Sequence, residues 1–337
     1  MLKVNMPSFN VCVIGDGGWG TTLAILLSKK NNNVCLWGVF ADNVSYMNRH
    51  RENKKFLPGI KIPKGIKITN DLSEALKGRK LIVLASPSQH MREVVRKISN
   101  AGFDRDTVFL SVSKGIEIET LKTMSQVIHE ELGNVKLAVL SGPTIAHEIA
   151  KGLPAVSVIA SSCEKTRKFL QGVFMTPRFR IYTSDDVTGV ELGGSLKNVI
   201  AIACGISDGL GFGSNAKAAL LARGLSEIAR LGAAMGAKIA TFSGITGLGD
   251  LVTTCVSSYS RNRFVGEEVG KGKTIKQIQS HMQMVAEGVP TAKSAYALSL
   301  KYKVDMPITR EIYYVLYKNK SALKALKDLM TREKKEE

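Results

Sequence analysis

The chain's 337 residues, 44% hydrophobic and 23% charged, describe a globular protein with room for two domains. A formal charge of +18, from 47 Lys and Arg against 29 Asp and Glu, is spread along a chain poor in aromatics, which excludes a nucleic-acid platform and suits steering of a small anionic substrate. No apolar run reaches the roughly 18 residues of a membrane span, and five scattered cysteines without metal-ligand spacing exclude a metal centre and a disulfide framework, so a cytoplasmic protein without integral membrane association is expected.

Asn10–Ile14 is a short apolar run followed at once by Gly15-Asp-Gly-Gly-Trp-Gly20, then by the helix former Thr21–Leu27 and a second apolar run, Asn33–Trp37. Strand, GxGxxG, helix and strand within about 30 residues form the dinucleotide fingerprint. Gly15 allows the tight turn, Gly17 lets the backbone approach a pyrophosphate, and Gly20 lets helix and strand pack closely. The N–H groups at the helix start face the phosphates. Asp16 is electrostatically unhelpful there unless it points away. At the end of the second strand stand Gly38, Val39 and Phe40, with Asp42, Arg49 and Arg51 further on, so NAD and NADP both remain open and the reading leans to NAD.

Strands and helices then alternate, with strands expected at 80–85, 107–112, 136–140, 155–160 and 179–183. This predicts an α/β fold with an N-terminal Rossmann-type, doubly wound parallel sheet over residues 1–188. Ser86-Pro-Ser88, Ser113-Lys114-Gly115 and Ser141-Gly-Pro-Thr144 follow three of the strands, where ligands bind in open α/β sheets. Lys114 is there either a loop lysine in water or a contact for an anion or a carbonyl oxygen.

From residue 189 the strand signal disappears and a mostly helical C-terminal domain, 189–337, is expected. Its first helix, Glu191–Cys204, carries Lys197 in a run of small and apolar residues. Burying an unpaired ammonium is costly, so Lys197 either snorkels to water or is a desolvated proton-transfer group beside Asn198. Two breaks in the helical pattern stand out: Gly244–Asp250 with Thr254 behind it, and Ser260-Arg-Asn-Arg263, whose donors suit a phosphate as well as a solvated loop. Glu287-Gly288 reads as a helix start.

Taken together, GDGGWG, FLPG at Phe56–Gly59, SKG at Ser113–Gly115, SGPT at Ser141–Thr144, GVELGGSLKNVIAI at Gly189–Ile202, SDGLGFGSNAKAAL at Ser207–Leu220, GLGDLVTTC at Gly247–Cys255, SRNR at Ser260–Arg263 and MPITREIY at Met306–Tyr313 closely resemble the nicotinamide-dependent glycerol-3-phosphate dehydrogenases. The resemblance implies a homodimer that reversibly reduces dihydroxyacetone phosphate to sn-glycerol 3-phosphate with NADH or NADPH, for glycerophospholipid synthesis. It implies that Lys197 exchanges the proton and that Lys114 contacts substrate and nicotinamide; by residue chemistry, Asp250 is expected to orient the Lys197 ammonium. Gly142, Thr144, Asn198, Asp250, Thr254, Ser260, Arg261 and Asn262 would meet substrate. Gly18, Trp19, Ala146, Arg261, Val285 and Glu287 would join Gly15, Gly17 and Gly20 on the cofactor. Val39 departs from a basic residue common in bacterial members, Asp16 from a small one and His147 from a lysine. Alternatives are a related two-domain hydroxyacid or ketopantoate-type reductase, which needs a carboxylate pocket and has no evident use for SRNR, and a non-catalytic dinucleotide-binding regulator.

Overall fold

Among the described residues, ten strands interspersed with helices fill the first half of the chain: β1 (Asn10–Ile14), β2 (Asn33–Trp37), β3 (Glu52–Asn53), β4 (Leu57–Lys61), β5 (Lys67–Thr69), β6 (Leu81–Leu84), β7 (Val108–Ser111), β8 (Lys136–Ser141), β9 (Ala155–Ala160) and β10 (Phe179–Ser184). The helices between them are α1 (Gly18–Ser28), α2 (Ala41–His50), α3 (Leu72–Leu76), α4 (Met91–Ala101), α5 (Met124–Leu132), α6 (Ala146–Ala150) and α7 (Glu164–Phe174). The computed structural model describes residues 8–30, 32–282 and 284–333. Within them the chain forms two compact units. Residues up to Lys114 together with Thr123–Glu191 make the first, and Gly115–Lys122 with the chain from Leu192 onward make the second.

In the first unit an eight-stranded sheet runs in the order β10-β9-β8-β7-β6-β1-β2-β5, with β3 and β4 as a separate antiparallel pair. Chain order reverses between β1 and β6, which makes the carboxyl ends of those two strands the switch point where an open α/β sheet binds its ligand. The inner strands β1, β6, β7 and β8 are buried on both faces, as βαβ crossovers require, while β10 at the sheet edge leaves Arg180, Tyr182 and Thr183 exposed. Val11 and Val13 of β1 face one apolar cluster with Leu23 and Leu27 of α1, while Cys12 and Ile14 face another with Val95 and Ile98 of α4. The expectation of a parallel sheet holds from β5 through β8 and fails at the next strand. β9 runs antiparallel to β8, and β10 follows β9 in parallel.

The second unit is helical. It holds most of α8 (Val187–Gly209), then α9 (Ser214–Ala234), α10 (Ile239–Phe242), α11 (Asp250–Val256), α12 (Arg261–Gly270), α13 (Ile275–Ser280), α14 (Gly288–Lys301), α15 (Pro307–Tyr317) and α16 (Ala322–Met330). Two helix starts follow familiar chemistry: Pro307 opens α15, and the Ser321 hydroxyl caps α16 by accepting from Lys324 N. Glu227 caps α15 from α9, its carboxylate accepting from Ile308 N, Thr309 N and Thr309 Oγ1. Gly115–Lys122 joins this core through Ile116, which is fully buried and whose carbonyl accepts from Ser294 Oγ.

Two expectations are corrected here. The stretches 244–250 and 260–263 are not loops: Ile245–Gly249 is a π-helical turn leading into α11, and Ser260 is the N-cap of α12. Two helical stretches, Val187–Gly209 and Ile239–Val256, do have the length and hydropathy of a membrane span. The most apolar window of the first is entirely buried in protein, as the central helix of a globular core would be.

α8 is the axis of the second unit, and glycine decides how closely α12 crosses it. A Cβ on Gly205 would lie 2.0 Å from Arg263 O, one on Gly209 2.2 Å from Glu267 O, and one on Gly266 2.0 Å from Ile202 O. The two backbones touch where side chains would hold them apart. That contact fixes the start of α12 against the middle of α8.

Candidate functional site

In the first unit the turn after β1 is built by exclusion of side chains. Gly15 has φ +112°, and a Cβ there would meet Ala85 O at 2.8 Å; a Cβ on Gly20 would meet Gly15 O at 1.9 Å. Gly18 admits the FLPG loop, since its Cβ would lie 2.6 Å from Phe56 O. Gly17 differs, because nothing stands within 4 Å of its Cβ position. It is the N-cap of α1, with no capping side chain and no acid in the first turn. Open space over the N–H groups of a helix start is a cradle for a pyrophosphate. Trp19 Nε1 is buried with no hydrogen-bond partner among the described residues, and Ala146, opening α6, takes a hydrogen bond from Thr22 Oγ1 beside the turn. These features of the turn from Gly15 to Gly20 fit a dinucleotide. Asp16 points away from the cradle, towards Gly38 and Asn43.

Beyond the ends of β7 and β8, Lys114 Nζ donates to Gly142 O at 2.7 Å and Thr144 Oγ1 at 3.2 Å. Thr144 Oγ1 in turn donates to Gly142 O at 3.1 Å. The three residues therefore meet as the sequence reading requires. Asn53 was missed by that reading. Fully buried, it donates to Asp16 O and Thr21 Oγ1 and so pins the glycine turn. An asparagine after a charged stretch carries no sequence mark of such a role.

In the second unit Lys197 lies midway along α8 and is 5% exposed, and its partner Asp250, opening α11, is 1% exposed. Nζ donates to Asp250 Oδ1 and to Thr254 Oγ1, each at 2.5 Å, and Thr254 Oγ1 donates on to Asp250 O at 2.7 Å. Of the two sequence alternatives for Lys197, snorkelling to water is ruled out by this pair. Gly193 makes the approach possible, since its Cβ would lie 2.6 Å from Thr246 O in the π-turn before Asp250.

One turn of α12 gathers the other residues. Asn262 Nδ2 donates to Asn198 Oδ1, and Asn262 Oδ1 accepts from Gly288 N, tying α8, α12 and the start of α14 together. Ser260 Oγ accepts from Arg263 N as the cap, and Arg261 Nη1 donates to Val285 O at 2.8 Å. Arg261 as a residue is exposed, yet protein packed around its guanidinium pushes the pKa down, opposed by Glu287. Arg263, by contrast, is a structural residue, paired with Asp208 at 2.8 Å and with Glu267. No group of three or more His, Cys, Asp or Glu suited to a metal occurs among the described residues.

A chain that joins such a turn to such an ammonium falls in the class of two-domain dinucleotide-dependent dehydrogenases. Known proteins narrow the class. Residues 10–167 match the N-terminal domain, and residues 186–327 the C-terminal domain, of NAD-dependent glycerol-3-phosphate dehydrogenase. The glycerol-3-phosphate dehydrogenase (NAD(P)+) of Citrifermentans bemidjiense is 49% identical over 330 residues, covering 97% of this chain and 98% of its own. That of Fusobacterium nucleatum is 46% identical over 327 residues, covering 96% and 97%. The crystal structure of the Coxiella burnetii glycerol-3-phosphate dehydrogenase superposes with a TM-score of 0.93 at 37% identity, covering 96% and 99%. A D-mandelate dehydrogenase, 13% identical with a TM-score of 0.64, shares the fold alone. The chain belongs to the NAD-dependent glycerol-3-phosphate dehydrogenase family and is an oxidoreductase that interconverts dihydroxyacetone phosphate and glycerol 3-phosphate with NAD or NADP.

Proposed function

We propose that Lys197 gives the proton to, and takes it back from, the substrate oxygen in this reaction; the observation that carries the assignment is its buried pair with Asp250. Bound nicotinamide supplies or accepts the hydride. Asp250 Oδ1 and Thr254 Oγ1 fix the position of the ammonium where water is kept out, and there a charged donor facing a developing alkoxide stabilises it most. Lys114, held by Gly142 and Thr144, is assigned to both substrate and nicotinamide. Ser260, Arg261 and Asn262 open α12, so N–H groups, the positive end of the helix and a planar guanidinium converge on the substrate phosphate. Asn198 orients Asn262 and lines the same pocket. Ala146, Arg261, Val285 and Glu287 are assigned to the dinucleotide. The net direction we assign is towards sn-glycerol 3-phosphate, a head-group precursor of glycerophospholipids. We read the chain as cytoplasmic, a reading supported by five free cysteines, and as a homodimer.

The test is dihydroxyacetone-phosphate-dependent oxidation of NADH and NADPH by the wild type and by Lys197→Ala. Turnover is expected to fall at least about a thousandfold while NADH still binds. Removing one member of a buried ion pair costs about 3–5 kcal/mol, so the double variant with Asp250→Ala, measured beside its unfolding curve, separates lost chemistry from lost fold. Near-wild-type turnover in either variant sinks the assignment.

A further inference from the structure

We propose that Asp16 sets the dinucleotide preference of this chain: its carboxylate takes the hydroxyls of the adenosine ribose and repels a 2′-phosphate, making NAD the preferred cofactor. The proposal rests on reading Gly15–Gly20 as the dinucleotide turn. In such a fold the ribose is read at the end of β2, where an acid holds the 2′-hydroxyl of NAD and a base accommodates the phosphate of NADP. Here that position is Gly38, followed by Val39 and Phe40, both about half exposed, and none of the three has a polar side chain.

The acid comes instead from the turn. A Cβ built on Gly38 would lie 2.6 Å from Asp16 Cγ and 2.7 Å from Asp16 Oδ2. The Asp16 carboxylate thus fills the volume that a side chain at the end of β2 would occupy. Asn43 Nδ2, from the first turn of α2, holds Oδ2 at 2.6 Å, and Asn53 and Thr21 hold the Asp16 carbonyl. The carboxylate is therefore fixed in place and aimed at the ribose position, away from the pyrophosphate.

The surrounding charges are of both signs. Asp42 adds a second negative charge near Asp16, and Lys55 is the cation facing it. Lys55 Nζ sits 5.2 Å from the Phe40 ring centroid and 5.1 Å from that of Phe56. Arg51, the base a phosphate would recruit from the end of α2, is turned elsewhere. Its guanidinium donates to the carbonyls of Ile62, Pro63 and Ile66. Burial pushes the Asp16 pKa up, opposed by the Asn43 hydrogen bond and the Lys55 charge.

The experiment compares calorimetric binding of ADP-ribose and 2′-phospho-ADP-ribose, which needs no turnover, with kcat/KM for NADH and NADPH. The wild type is expected to prefer the unphosphorylated member of each pair by roughly tenfold or more. Asp16→Asn, which keeps the shape and removes the charge, is expected to close most of that gap, and Asp16→Ser to do the same should the amide perturb the Asn43 contact. Lys55→Ala is expected to leave the preference in place. A wild-type preference for the 2′-phosphate, or a gap unchanged in both Asp16 variants, overturns the proposal. Binding of neither compound overturns the dinucleotide reading of the turn and this proposal with it.

Discussion

Burial pushes the Glu227 carboxyl up to about 7, against the pull of the three hydrogen bonds it accepts at the start of α15. An unfolded glutamate titrates near 4.5, so between that pH and 7 the folded chain holds more protons than the unfolded one. The contribution to stability is therefore full below about 4.5 and is lost as pH rises through 7, by on the order of 3 kcal/mol. Glu227→Gln cannot titrate. Its urea-unfolding stability, measured from pH 5 to 8, is expected to lack that decline, and parallel curves for the two proteins would refute it. Glu227 was illegible in the sequence because two of its three partners are backbone N–H groups 81 and 82 residues away, which leave no side-chain signature. Lys197 was legible because a lysine in an apolar run announces a cost that something must offset. Its partner, Asp250, stands 53 residues away, and only the fold joins them.

Helix α12 shows why an element that carries site residues can be the hardest to read. Its interior holds Gly266 and ends on Gly270, and glycine lowers helix propensity by about 1 kcal/mol each. The residues are nonetheless right, because α8 leaves no room for a Cβ. Tertiary packing overrode local preference, and a helix was read as a basic loop. Gly266→Ala is expected to cost about 1–3 kcal/mol, visible as a lower Tm, and to raise KM for the phosphate substrate by shifting Arg261. Gly65→Ala, where nothing stands within 4 Å, is expected to change stability by under about 0.5 kcal/mol. Equal effects at the two sites would mean the crossing is not as tight as described. The turn from β1 to α1 was legible for the opposite reason: its glycines answer to contacts within a few residues and across one neighbouring strand. The reversed direction of β9 was not, since strand patterns do not encode polarity.

At the scale of the whole molecule, α9 leaves Ala218, Ala219 and Ala222 exposed, and α16 leaves Leu323 at 61% and Met330 at 77%. Between α9, α15 and α16 lies an apolar groove of about 600 Å³. The homodimer reading places a second copy against this face. Light scattering at micromolar concentration is expected to give twice the chain mass, falling to one chain mass for Ala219→Glu; a monomeric wild type would refute it. The short insertion Gly115–Lys122 has a consequence for synthesis. Ile116 is made with the first unit but belongs to the core of the second, and the Ser294 hydroxyl that meets its carbonyl is 178 residues further on. At about 5–20 residues per second on the ribosome, that segment waits roughly ten to forty seconds for its partner. With Ile116 and Leu121 left uncovered that long during translation, the segment is a natural handle for a chaperone. No cut between two adjacent residues of this chain yields either unit whole.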